Sequence, residues 1–365
     1  MRGIWRGLGC LLGSLAVVSG CGSPQQRPVE RDGVVAVRSP DAKRELRMSP
    51  EALRERYADG EARSALRDEA LAVLSDATRS GDPQMRANAY EALELAPSTL
   101  RAAAPVGLLD DNLGVRAIAA VAVGRAKVTG QEELLRGLLV DESAFVRASA
   151  DFALRALGAD SGVDELEAAL IQTESAGVRG HAVFLVGELG SAALLPALKD
   201  SAGRTINRAS PAERRVVELQ ISEAMVKLGD EQQLSPIRAA LYPSSPSDLE
   251  ATALAVQMVG ELSDRAMRGR LAQLSDLRGP TGEPLPPEIQ LAIAISMAKL
   301  GDLSGWFVAD QAWESDRFVL RADAAAVYGL TRRAQDLPKL RLLMRDRVGL
   351  VRVAAAGAVL RALDG

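Results

Sequence analysis

One helical pattern returns nine times along this 365-residue chain. Its anchors are an apolar residue often followed by Arg: Met85-Arg86, Val115-Arg116, Val146-Arg147, Val178-Arg179, Val217-Glu218, Ala251-Thr252, Ile289-Gln290, Leu320-Arg321 and Val351-Arg352. Successive anchors lie 30, 31, 32, 39, 34, 38, 31 and 31 residues apart. A recurrence in this range means stacked supersecondary units in place of one closed core. Counting from each anchor, position +4 holds Ala or Ile throughout. Position +8 holds Leu93, Val123, Leu154, Val186, Met225, Val259, Met297, Tyr328 and Val359. Offsets 0, 4, 8 and 11 share one face of an α-helix, and the period-2 alternation of strands is absent.

Each anchor helix follows a partner helix, such as Gln131 to Val140, across a short turn that carries an acid: Asp82, Asp111, Asp141, Glu174, Glu213, Asp248, Glu288, Asp316 or Asp346. An acid there can cap the next helix or favour its positive end. Several anchor helices finish on Leu-Gly, at Gly158, Gly190, Gly229 and Gly301, where glycine suits a left-handed cap.

The pattern D-x(3–4)-V-R-x-x-A-x-x-A-L-x-x-L-G resembles HEAT repeats, in particular the HEAT-like class of phycobilin lyases, over roughly residues 61–365. The resemblance implies an all-α, right-handed α-solenoid of about nine helical pairs. It also implies a structural ladder of Asp with Arg86, Arg116, Arg147, Arg179, Arg321 and Arg352. Glu218, Thr252 and Gln290 replace the Arg in repeats five to seven, so regularity is in doubt there. Helix layers 8–10 Å apart make a nine-pair stack about 80 Å long.

Arg2 and Arg6 precede a short apolar run, Leu8 to Val18, and then Ser19-Gly20-Cys21. This is the layout of a secretory signal, and its end resembles the lipobox of bacterial lipoproteins. The resemblance implies cleavage before Cys21 and lipidation of Cys21. Gly22, where Asp would imply retention at the inner membrane, points to the outer membrane. The expected organisation is a signal peptide (1–20), a flexible tether (21–45) carrying Pro24, Pro28 and Pro40, and the solenoid (46–365), with a helix opening at Ser49-Pro50-Glu51. Such a tether spans roughly 25–30 Å.

The only cysteines are Cys10 and Cys21, so the mature chain has no disulfide and no cysteine metal site. The charge of −4 becomes −6 without Arg2 and Arg6, which argues against nucleic acid as a partner. His181 is the single histidine and cannot make an ordinary zinc site; it is expected at the surface or in a groove. No nucleophile elbow, phosphate loop or HExxH motif occurs. No cofactor is implied, and the chain is expected not to be an enzyme.

Two further features concern binding. Gly124, Gly187, Gly260 and Gly329 recur at +9, where a bare backbone serves a neighbouring helix or a ligand. Val121, Phe152 and Phe184 share position +6. By the HEAT resemblance they line the concave groove as an apolar stripe for a protein partner; the alternative is packing between repeats. Trp306, Phe307 and Trp313 either anchor a partner or fill the core. The expected function is a membrane-anchored scaffold or adaptor at the bacterial envelope. The alternatives are a lyase-like or enzyme accessory subunit and a plain structural spacer.

Overall fold

The computed structural model describes residues 40–364 apart from 208, 246–247 and 279–281. The signal peptide, Cys21 and the tether up to residue 39 lie outside the described residues. Two short helices, α1 (Pro40–Glu45) and α2 (Pro50–Ala58), precede nine helical pairs. The first helices of the pairs are α3 (Gly60–Ala77), α5 (Pro97–Leu108), α7 (Glu132–Leu138), α9 (Glu165–Ile171), α11 (Leu195–Gly203), α13 (Leu234–Ala239), α15 (Arg268–Ser275), α17 (Trp306–Ala312) and α19 (Leu337–Leu343). The second helices are α4 (Pro83–Ala92), α6 (Leu113–Arg125), α8 (Ala144–Ala156), α10 (Ala176–Leu189), α12 (Pro211–Lys227), α14 (Leu249–Glu261), α16 (Pro287–Lys299), α18 (Phe318–Thr331) and α20 (Gly349–Leu363). The fold is the all-α, HEAT-like solenoid that the sequence pattern implies.

The second helices pack on one another in chain order, whereas the first helices touch far less. The second helices are therefore the inner layer. Most of their 0, 4 and 8 positions are buried, Val115, Ala119 and Val123 fully, while Met85 and Ala251 are half-buried.

The stack does not run out as an open rod. Helix α20 packs against α3 and α4, and α19 against α1. Arg63 donates to the carbonyl of Leu363, Arg67 pairs with Asp364, and Arg341 pairs with Glu69. The inner helices thus form a closed ring, and the expected 80 Å stack is corrected to a circuit that returns on itself. The seam also takes up the end of the expected tether: α1 buries Ala42 and Glu45, and Glu45 bonds Tyr57 Oη at 2.9 Å and pairs with Arg56 and Arg341.

Helix starts follow the expected chemistry in part. Ser49 accepts from the Ala52 amide, Asp82 from Gln84, and Ser210 with Glu213 forms a reciprocal capping box. Elsewhere the turn acid serves the ladder. Arg86 grips Asp110, Arg116 grips Asp141 and Arg321 grips Asp346, each through two hydrogen bonds of 2.7–3.1 Å. Arg147 turns to Glu165 at 2.9 Å. Arg179 finds only the carbonyls of Arg204 and Thr173, and Arg352 that of Asp346. In the middle, Arg238 on α13 pairs with Asp264 instead. A separate apolar cluster from Leu219 to Leu300 fills this region, distinct from the core shared by the other repeats.

The recurrent +9 glycines serve neighbouring helices. A methyl on Gly124 would stand 2.8 Å from the Cα of Ala153. One on Gly260 would stand 2.9 Å from that of Ser296, and one on Gly187 3.3 Å from that of Ala224. Each of these partners sits at +7 of the next inner helix.

Candidate functional site

The inner helices turn position +10, and in part +6, toward the ring axis, as the reach of their charged side chains demonstrates. Arg125 of repeat two bonds Glu94 of repeat one at 3.2 Å and Glu188 of repeat four at 3.1 Å. It also feels the charge of Glu261 in repeat six, as does Arg361 in repeat nine. Only side chains pointing inward across the ring can meet in this way.

Position +10 is charged in six repeats: Arg125, Glu188, Lys227, Glu261, Lys299 and Arg361. Lys227 bridges Glu188 at 2.9 Å and Glu223 at 3.1 Å, and Lys299 pairs with Glu261. Glu91, Glu94 and Glu223 complete a central constellation of five acids and four bases. It is open to solvent on one side, since 31 % of the Arg125 side chain remains exposed. The sequence reading did not reach this site. The signal lies at +10, where the charges recur with the repeat, outside the apolar face at 0, 4, 8 and 11.

The surroundings act strongly on its carboxyls. Burial, reinforced by Glu94 and opposed by Arg125 and Arg361, pushes Glu91 up to about 8. Burial raises Glu94 to about 7, against the pull of Arg125. Burial also raises Glu223 and lowers Arg361. Outside this constellation, Asp323 at +3 of α18 is lifted by burial alone to about 7. Among the described residues no three His, Cys, Asp or Glu side chains are placed to hold a metal ion. No described helix is long and apolar enough to cross a membrane.

The expected groove residues are on this inner side, beneath the charged layer, but they are covered. Val121, Phe152 and Phe184 are all buried, Phe152 to 1 % exposure. The Phe152 ring packs over Gly124 of the neighbouring helix. The open apolar stripe is thereby corrected to packing between repeats, because the close approach of adjacent inner helices at Gly124 leaves the Phe152 ring no open face.

His181 is also corrected. It is fully buried, its Nε2 is 2.8 Å from Ser149 Oγ, and that hydroxyl donates to the Phe145 carbonyl. Burial lowers it to about 4. The outer aromatics are divided. Trp313 packs against the core, while Phe307 is 53 % exposed and Trp306 is stacked under Arg333 at 4.0 Å.

No family model and no curated protein matches the chain. Solved structures do. The complex of CpcE and CpcF of phycocyanin lyase from Nostoc sp. PCC7120 is 15 % identical. It covers 85 % of this chain and 98 % of its own, with a TM-score of 0.39. Human deoxyhypusine hydroxylase in complex with glycerol is 16 % identical and covers 74 % and 98 %, with a TM-score of 0.36. An engineered protein is 15 % identical and covers 79 % and 87 %, with a TM-score of 0.31. At these identities the similarity concerns the helical-repeat fold alone. The expectation that the chain is not an enzyme is nevertheless corrected. Two of these structures are named for enzymes, phycocyanin lyase and deoxyhypusine hydroxylase.

Proposed function

We propose that this chain is a lipid-anchored lipoprotein of the bacterial envelope that holds a protein partner on the outer rim of its ring. The observation that carries this reading is an apolar pair at equivalent turn positions of adjacent repeats. Leu109 and Val140 each precede the ladder acid, and both are exposed, Val140 to 86 %. Val106 and Leu113 beside them are also exposed. Neighbouring repeats place the pair on the order of 10 Å apart, on a scaffold held rigid by the ladder. Large apolar side chains grouped at a surface are a common mark of an interface. Cys21 would supply the anchor, and the outer membrane is the favoured site.

Crosslinking in native membranes followed by mass spectrometry tests the reading. Leu109→Ser with Val140→Ser should lose the crosslinked partner without loss of helicity. Unchanged crosslinks in the double variant would move the partner elsewhere. A second reading, a lyase-like or enzyme accessory subunit, is favoured by the central charged constellation. Visible absorbance from the purified protein would support bound pigment.

A further inference from the structure

We infer that the seam of the ring holds a binding site for a small organic anion, a carboxylate on a short apolar chain. A cleft of about 240 Å³ opens where the first and last repeats meet. Arg54 and Arg63 line it from α2 and α3, Arg332 from the end of α18, and Leu337, Ala362 and Leu363 from α19 and α20. Every charged side chain lining the cleft is an arginine. The site is independent of the lipid anchor and of the apolar rim.

Among the described residues, no carboxylate holds any of the three guanidiniums by a hydrogen bond. The Arg332 side chain has neither a hydrogen bond nor an ion pair there. Arg63 donates to the Leu363 carbonyl. Arg54 stands 3.7 Å from Glu51, an exposed pair that contributes little. The Tyr57 hydroxyl, in the same wall, is committed to Glu45 at 2.9 Å. Arg332 also occupies the left-handed C-cap of α18, with φ 52°. That conformation favours glycine, which takes the corresponding place after α10 at Gly190. An arginine held there against its backbone preference, with a free guanidinium at a cleft, is accounted for by a ligand better than by the fold.

The walls of the cleft select the ligand. A guanidinium presents a planar fork of N–H groups that matches a carboxylate. Leu337, Ala362 and Leu363 offer no polar side chain, so the part of the ligand lying on them is apolar. Ligand sites run upward from roughly 300 Å³, and this cleft falls just below that range, so the chain is short. Helices α18 and α20 both end at the cleft, and helix C-termini carry partial negative charge. A singly charged carboxylate meets less of that repulsion than a phosphate dianion.

Calorimetric titration of the intact protein with sodium hexanoate, sodium acetate and inorganic phosphate tests the site at neutral pH and constant ionic strength. Hexanoate should bind saturably. Acetate should bind about tenfold more weakly, since its methyl leaves the apolar wall uncovered, and phosphate should also bind more weakly than hexanoate. Arg332→Gly should weaken hexanoate binding about tenfold. Its melting temperature should equal or exceed that of wild type, because glycine relaxes the cap; an arginine that served the fold would lose stability instead. Arg332→Lys keeps the charge and should retain part of the binding, and Arg54→Gln should weaken it several-fold. Circular dichroism establishes that each variant is folded. No saturable hexanoate binding, tighter binding of phosphate than hexanoate, wild-type affinity in Arg332→Gly, or a lowered melting temperature in that variant would each overturn the assignment.

Discussion

Gly329 lies so close to Ala358 that a methyl group on it would stand 2.9 Å from the Ala358 Cα. The contact joins α18 to α20, the last step before the ring closes. At the seam Gly357 meets Ala92 in the same manner, its added methyl falling 3.2 Å from the alanine Cβ. Small residues therefore set the spacing of the inner layer.

Gly329→Ala should destabilise the protein by about 1–3 kcal/mol, since backbone must shift to admit the methyl. Gly137 offers the control. It lies in α7 with open space around its Cα. There Ala should be neutral or stabilising by up to about 1 kcal/mol through helix propensity. Thermal melting of the two variants checks the contrast, and equal effects would mean that close approach does not set the spacing.

The ladder can be weighed in the same way. Arg321 binds Asp346 at 2.7 and 2.8 Å, and both side chains are almost fully buried. Arg321→Gln strands the carboxylate and should cost about 3–5 kcal/mol. Arg352 reaches only the Asp346 carbonyl at 3.0 Å. Arg352→Gln should cost about 1 kcal/mol. Denaturant titration would rank them, and a larger loss at Arg352 would contradict the ladder.

Repeat number, the two helical layers and the ladder at Arg86, Arg116 and Arg321 were legible because each repeats with the helical period, whereas Arg147 turns to Glu165 and Arg179 and Arg352 reach only carbonyls. Closure was not. It depends on small rotations accumulated over nine pairs, and no single residue encodes the meeting of α20 with α4. Everything that depends on closure was hidden with it. Arg63 and Leu363 stand at opposite ends of the solenoid and meet only across the seam. The stripe of Val121, Phe152 and Phe184 was placed on one helix face, yet it is covered by the neighbouring inner helices, as Phe152 is over Gly124. His181 looked polar enough for the surface; Ser149, its partner, stands at the same +3 register one repeat earlier and was the available clue.

His181 gives an acid-side prediction. Its folded value is about 4, below the ordinary 6.5. The unfolded chain therefore takes up the proton first, and this group withdraws stability as pH falls from 6.5 toward 4. The upper bound is on the order of 3 kcal/mol. His181→Gln should flatten that part of the stability profile relative to wild type. Parallel profiles would show that the imidazole is not the group responsible.

Asp323 gives the opposite sign. Its folded value is raised from 3.8 to about 7 by burial. The folded state then holds a proton that the unfolded state has already released, so stability falls as pH rises from 3.8 to about 7 and is level beyond. The loss is on the order of 1–4 kcal/mol. Asp323→Asn should match wild type near pH 3.8 and exceed it at pH 8. Equal melting temperatures at pH 8 would mean that the carboxylate is stabilised by a bound cation or by water.

Hydrogen exchange addresses the middle of the ring. Repeats five to seven lack the ladder arginine, and their outer-to-inner connections span 203–211, 239–249 and 275–287. Leu219, Ile237, Val256, Ile289 and Leu300 belong to a second apolar cluster, and α12 packs less extensively on α14 than α6 does on α8. Local opening follows from few interlocking contacts and long exposed connections. Amides in 200–287 should therefore exchange faster than those in 110–190, with the difference largest in α13 and α15 and smallest in α14. The ring is closed, however, so the fast segment is held at both ends by better-packed repeats and should open without global unfolding. Its exchange should stay independent of the Arg321→Gln substitution. If that distant variant accelerates exchange in 200–287 as much as in its own repeat, the ring unfolds as one cooperative unit and the middle is not a separable segment.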